Sequence, residues 1–74
     1  MKNVIIDQNI QHGQPVIEGT RIPVAVILGA LAGGMTFDEI KKEYDVTDED
    51  IRAALRYAAE LAADEKVIPL KKTS

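Results

Sequence analysis

The stretch Thr36-Phe37-Asp38-Glu39-Ile40-Lys41-Lys42-Glu43-Tyr44-Asp45-Val46-Thr47-Asp48-Glu49-Asp50-Ile51-Arg52-Ala53-Ala54-Leu55 decides the fold. Thr36 and Glu39 have the spacing of a capping box, in which hydroxyl and carboxylate each satisfy a backbone N–H that a helix start leaves without a partner. Met35 and Ile40 flank the box as a hydrophobic staple. Val46, Thr47 and Ile51 repeat the staple and cap, with Asp50 where glutamate is usual. Two helices therefore begin eleven residues apart. Apolar Ile40 and Tyr44, a tight turn at Asp45-Val46-Thr47, then apolar Ile51 and Leu55 give the layout of a helix-turn-helix, with these apolar residues where the helices must touch. Asp45 stands where glycine is usual, and Asp tolerates left-handed geometry better than most residues. Lys41 occupies a slot that favours a small residue, so its side chain must snorkel outward or open the crossing.

Downstream, Ile51, Ala54, Leu55, Ala58, Leu61 and Ala62 keep helical spacing, which predicts a helix over 47–64. Pro69 forbids its continuation. In the tail, 65–74, Val67 and Ile68 followed by Leu70 suit a short strand against Val4, Ile5 and Ile6, from the same chain or from a partner. Upstream, Val4-Ile5-Ile6 and the two stretches around Gly19 in Pro15-Val16-Ile17-Glu18-Gly19-Thr20-Arg21-Ile22 predict a β segment within 1–22, turned at Gly13. Pro23 suits a first helical turn, and the almost wholly apolar run from Val24 to Ala32 predicts a buried helix over 23–34 that Gly33-Gly34 stops. The second helix is expected over 36–45. The fold class is thus mainly α: a short N-terminal β segment followed by a three-helix bundle containing a helix-turn-helix.

With 74 residues the chain is expected to form one domain with one core. A domain so short buries only roughly 60% of the surface its unfolded chain exposes, which favours a homodimer. There is no cysteine, and no apolar run has the length of a signal peptide or a membrane span, so a cytoplasmic location is expected. Twelve acidic against nine basic residues give a net charge of −3, opposite in sign to a domain that grips phosphates by bulk electrostatics. No segment forms a basic stripe.

Arg52 and Arg56, one helical turn apart, either contact DNA phosphate or an acidic partner, or form ion pairs with Asp48 and Glu60 at i, i+4 spacing. Asp48-Glu49-Asp50 opens the helix that would read DNA. Three carboxylates there oppose a polyanion but suit the positive end of the helix dipole. Arg21 is either a phosphate or carboxylate fork or a partner of Glu18 or of helix carbonyls. Lys66, Lys71 and Lys72 complete the candidate DNA or partner contacts, and Val4, Ile5, Ile6, Val67 and Ile68 form the candidate dimer or partner strand. His12 has no second imidazole or thiol to share a metal with. No nucleophile with a base, no paired carboxylates in a cleft and no phosphate-cradling loop is visible, so neither an enzyme nor a cofactor or small-molecule site is expected.

The run Gly13-Gln14-Pro15-Val16-Ile17-Glu18-Gly19-Thr20-Arg21-Ile22-Pro23-Val24, with Gly34-Met35-Thr36-Phe37-Asp38-Glu39-Ile40, Tyr44 and Asp50-Ile51-Arg52-Ala53-Ala54-Leu55-Arg56-Tyr57-Ala58, closely resembles the domain of unknown function family four-three-three. The resemblance implies a helix-turn-helix of the homeodomain-like or winged-helix-like class. It also implies a link to toxin-antitoxin pairs, because some relatives serve as antitoxins beside a PIN-like ribonuclease. No family motif places a catalytic or metal-binding residue in this chain. The expectation is a non-catalytic, antitoxin-like module that dimerises and binds a PIN-like nuclease and its own promoter, the latter opposed by the acidic helix start. The alternative is a protein-protein or self-assembly domain that keeps the helix-turn-helix architecture without binding DNA.

Overall fold

The structure, a computed structural model, describes residues 2–64. Strand β1 (Val4–Ile6) pairs antiparallel with β2 (Pro15–Ile17), with Val4 opposite Ile17 and Ile6 opposite Pro15. Helices α1 (Val24–Ala32), α2 (Phe37–Tyr44) and α3 (Asp48–Asp64) follow. The chain is therefore mainly helical, with a two-stranded segment before the helices.

The loop between the strands closes by way of Gln11 and His12 at φ 50° and 57° and Gly13 at φ 84°. Left-handed backbone costs a residue with a Cβ roughly 1–2 kcal/mol. Gln11 is held there in part because its side-chain amide donates to the Arg21 carbonyl at 3.1 Å. After β2 the chain turns again at Gly19, φ 81°, a conformation that favours glycine. The Thr20 hydroxyl fixes this turn, donating to the Ile17 carbonyl at 2.7 Å and accepting from the Ile22 N–H at 3.0 Å. The Ile17 N–H then donates to the Ile22 carbonyl, and Val16 bridges to Pro23. Of the two extended stretches expected around Gly19, the first is a strand and the second is this single bridge.

Pro23 keeps an extended ψ of 139°, so α1 starts at Val24. Its end is a Schellman motif: the Met35 N–H donates to the Ala30 carbonyl, the Gly34 N–H to the Leu31 carbonyl, and Gly34 sits at φ 98°. Both capping boxes form. Thr36 and Glu39 exchange hydrogen bonds of 2.8 and 3.1 Å, and Thr47 and Asp50 exchange bonds of 3.0 and 3.1 Å. Between them Asp45 takes the left-handed conformation, φ 56° and ψ 48°, which reverses the chain from α2 into α3.

Ile17, Val24, Ile27, Ile40, Val46, Ile51 and Ala54 form the core, with Met35, Phe37, Tyr44 and Tyr57 packed around it. Each large aliphatic side chain so buried contributes about 1.5–3 kcal/mol. Two expectations are corrected here. Although α1 is almost wholly apolar, it buries only Val24 and Ile27, while Ala25, Val26, Gly29 and Ala32 face solvent. A helix laid across a layer this thin can cover only one of its sides. Leu55, expected at the contact between α2 and α3, is 40% exposed, because α3 turns Ile51, Ala53 and Ala54 inward instead.

Candidate functional site

The residues expected to contact partners fall into three groups. In the first, charged side chains are committed to the fold. Asp50 caps α3 and is almost wholly buried; its Oδ1 meets the Lys2 ammonium at 3.0 Å. Burial pushes this carboxyl up, but the Thr47 N–H and the Lys2 charge outweigh it and hold it below its ordinary value of 3.8. Lys2 also donates to the Glu18 carbonyl at 3.2 Å, and Glu18 accepts the Asn3 N–H at 3.0 Å. Glu18 is thus engaged with the N-terminal strand and not with Arg21. Arg56 donates from Nη2 to the Lys2 carbonyl at 2.6 Å, tying the middle of α3 to the start of β1.

Lys41 snorkels across the turn to Asp48 at 3.1 Å and to Asp38 at 3.5 Å, which leaves the helix crossing intact. Asp48 raises the Lys41 ammonium above its ordinary value by hydrogen bonding and by charge. The i, i+4 ladder considered from the sequence therefore does not form: Asp48 pairs with Lys41, and Arg56 goes to a backbone carbonyl. Tertiary partners reach these groups, and spacing along one helix could not show them. Two of the three carboxylates at the start of α3, Asp48 and Asp50, are neutralised by lysines from other elements.

The second group stands in solvent. Arg21 lies in the link before α1 and Arg52 on α3; both are exposed, and neither side chain has a hydrogen-bond or ion-pair partner among the described residues. The third group is apolar. Ile5, Ile6, Val26, Leu55 and Leu61 are exposed large hydrophobic residues. Val4 packs on the core, and β1 lies beside α3 across a cleft of about 500 Å³ lined by Lys2, Asn3, Val4, Ile5, Ala53, Arg56, Tyr57 and Glu60. Sequence reasoning did not find this cleft, because it arises only where an edge strand meets a helix remote in the chain. Lys66, Val67, Ile68, Lys71 and Lys72 lie outside the described residues.

His12 is exposed, and among the described residues no group of three or more His, Asp or Glu side chains is arranged to hold a metal ion. Among those residues no helix is long and apolar enough to cross a membrane.

These features define a small α-helical module with a two-stranded lead-in, several exposed large apolar side chains and two exposed arginines. The chain belongs to the family described as "Protein of unknown function (DUF433)", which it matches over residues 4–58. It is similar to a protein of Mycobacterium tuberculosis named "Putative antitoxin VapB45", with 42% identity over 53 residues, covering 72% of this chain and 22% of that protein. It is also similar to the crystal structure of Rv2018 from the same organism, with a TM-score of 0.63 and 40% identity, covering 70% of this chain and 24% of that one. The chain thus spans less than a quarter of the length of these relatives.

Proposed function

We propose that this chain is an antitoxin-type binding module that dimerises and docks on a PIN-like nuclease, and that it acts by occupying its partner and not by turnover. The observation that carries this reading is the apolar surface left over after the core is complete: Val26 on α1 and Leu55 and Leu61 on α3 stand in solvent. Burying each of these large apolar side chains against a partner would contribute about 1.5–3 kcal/mol, so they are suited to a docking role. The similarity to a protein named as an antitoxin and the family resemblance support the choice of partner. Co-expression with the neighbouring reading frame tests it. A nuclease-like product should co-purify with the chain, and light scattering should give a mass larger than one chain of each; failure to co-purify removes the reading.

A second reading is favoured by Arg21 and Arg52, both exposed, and by the neutralisation of Asp48 and Asp50 within the fold. It is contact with promoter DNA through the α2–α3 pair. A salt series separates it from a protein-only module. A DNA binder gives log affinity falling linearly with log salt, and replacing both arginines by alanine should reduce the slope by about two phosphate contacts. Absence of any complex at low salt leaves the protein-only module.

A further inference from the structure

Strand β1 has one edge on β2 and the other free. The Glu18 N–H donates to the Asn3 carbonyl at 2.8 Å, which makes residues 3 and 18 a hydrogen-bonded pair and puts Ile5 with Val16 in the same phase. Val4 and Ile6 therefore point their N–H and C=O groups away from β2. Among the described residues the sheet has only these two strands, and the outward groups of Val4 and Ile6 have no hydrogen-bond partner. From Asn3 to Ile6 the strand carries neither the charge nor the proline that commonly guards an exposed edge. Ile5 and Ile6 are 36% and 63% exposed.

We infer that this edge pairs antiparallel with β1 of a second copy, about a two-fold axis at Ile5, so that the two hairpins join into one sheet in the order β2-β1-β1-β2. The inference rests on the dimerisation proposed above and names its surface. The free groups are self-complementary, because residues that exchange hydrogen bonds in an antiparallel pair stand directly opposite one another. With the axis on Ile5, Val4 stands opposite the partner's Ile6 and Ile6 opposite the partner's Val4, and every free group finds a partner. Moving the axis by one residue breaks the match. On Val4 it would set Ile6 against Lys2, whose carbonyl Arg56 already holds at 2.6 Å; on Ile6 it would set Val4 against Gln8, beyond the end of the strand.

Charge selects the same orientation. The Arg56 guanidinium lies against the edge at Lys2, bound to that neutral carbonyl, and has no carboxylate partner among the described residues. Asp7, just past the other end of β1, has no cationic partner among them either; its carboxylate accepts the Asn9 N–H at 2.8 Å. Antiparallel pairing sets Asp7 of each copy at the level of Asn3 of the other, next to that guanidinium, at both ends of the contact. Parallel pairing of identical strands would set Asp7 against Asp7. Both exposed isoleucines also gain neighbours across the axis, Ile6 beside the partner's Val4 and Ile5 beside the partner's Ile5.

Sedimentation equilibrium and NMR on the full chain test this. In a mixture of isotope-labelled and unlabelled chains, a filtered experiment should show the Ile5 Hα of one copy in contact with that of the other, since this register makes them a non-hydrogen-bonded pair with Cα atoms about 4.5 Å apart. The Val4 and Ile6 amides should exchange more slowly as protein concentration rises, and the Ile5 amide, which faces β2, should change far less. Ile6→Pro removes an outward N–H and leaves the bonds to β2 in place, so it should raise the dissociation constant at least about tenfold while the core Ile51 amide stays protected. A dimeric wild type without the Ile5 contact, or with Val4 and Ile6 protection that ignores concentration, overturns the inference and leaves dimerisation to another surface. An unchanged dissociation constant in folded Ile6→Pro does the same, and if that variant unfolds the two wild-type measurements decide. A wild type that stays monomeric removes the dimerisation itself.

Discussion

Three side chains carry much of the specificity of this small fold. Thr20 closes the Gly19 turn with two hydrogen bonds from one hydroxyl, so Thr20→Val should cost about 1–2 kcal/mol in chemical denaturation, although it preserves shape. Asp50 joins the start of α3 to the N-terminal strand through Lys2. Lys2 is about one-third exposed and can rehydrate, so Asp50→Asn should cost about 1–2 kcal/mol and not the larger sum of a fully buried pair. Its pH dependence has a definite sign. The folded carboxyl is held below its ordinary value of 3.8, so its contribution is complete above that value and is lost as pH falls through the lower folded value. The difference in urea midpoint between the wild type and Asp50→Asn should be constant near neutrality and shrink below about pH 4. A difference that grew in acid would contradict the Lys2 pairing.

At the scale of elements, the α2–α3 pair is set by local chemistry at its ends. Two capping boxes start the helices, and the left-handed Asp45 reverses the chain between them. An L-residue pays roughly 1–2 kcal/mol for that conformation, and glycine escapes this cost but loses more backbone freedom on folding. Asp45→Gly should therefore raise stability by about 0.5 kcal/mol, seen as a small increase in Tm. Asp45→Val should lower it by more than that, because a β-branched side chain tolerates positive φ worst. The Schellman end of α1 is the third local stop, and its Met35 also belongs to the packing around the core.

Across the whole molecule, stability rests on few contacts. Ile17, Ile27, Ile40, Ile51 and Val16 are the largest fully buried side chains. Ile27→Ala or Ile51→Ala should cost about 2–5 kcal/mol, a large part of the roughly 4–11 kcal/mol expected of a chain this size, and a urea titration should show the midpoint of either variant moved to a clearly lower concentration. Val26→Glu and Leu55→Glu should behave in the opposite way. Both positions are exposed, so stability should change by less than about 0.5 kcal/mol, while association with a partner or a second copy is lost. Measuring denaturation and light scattering on the same samples separates the two effects. Substantial unfolding of either glutamate variant would show that these side chains serve the core.

The residues alone determined where helices start, stop and turn, because caps, staples and left-handed positions act within about four residues of one another. Thr36 with Glu39, Thr47 with Asp50, Gly34 and Asp45 were all legible on that ground, and so was the mainly helical class. What only the tertiary structure decided is which side of an apolar helix meets the core and which partner each charge finds. The apolar run of α1 carries no polar face to mark its outside, so the exposure of Val26 could not be read from it. Lys2 with Asp50, Lys41 with Asp48, and Arg56 with the Lys2 carbonyl join different elements, so helical spacing pointed Asp48 and Arg56 to the wrong partners. The cleft beside β1 was hidden for the same reason: it belongs to the packing of two elements and to neither one's sequence.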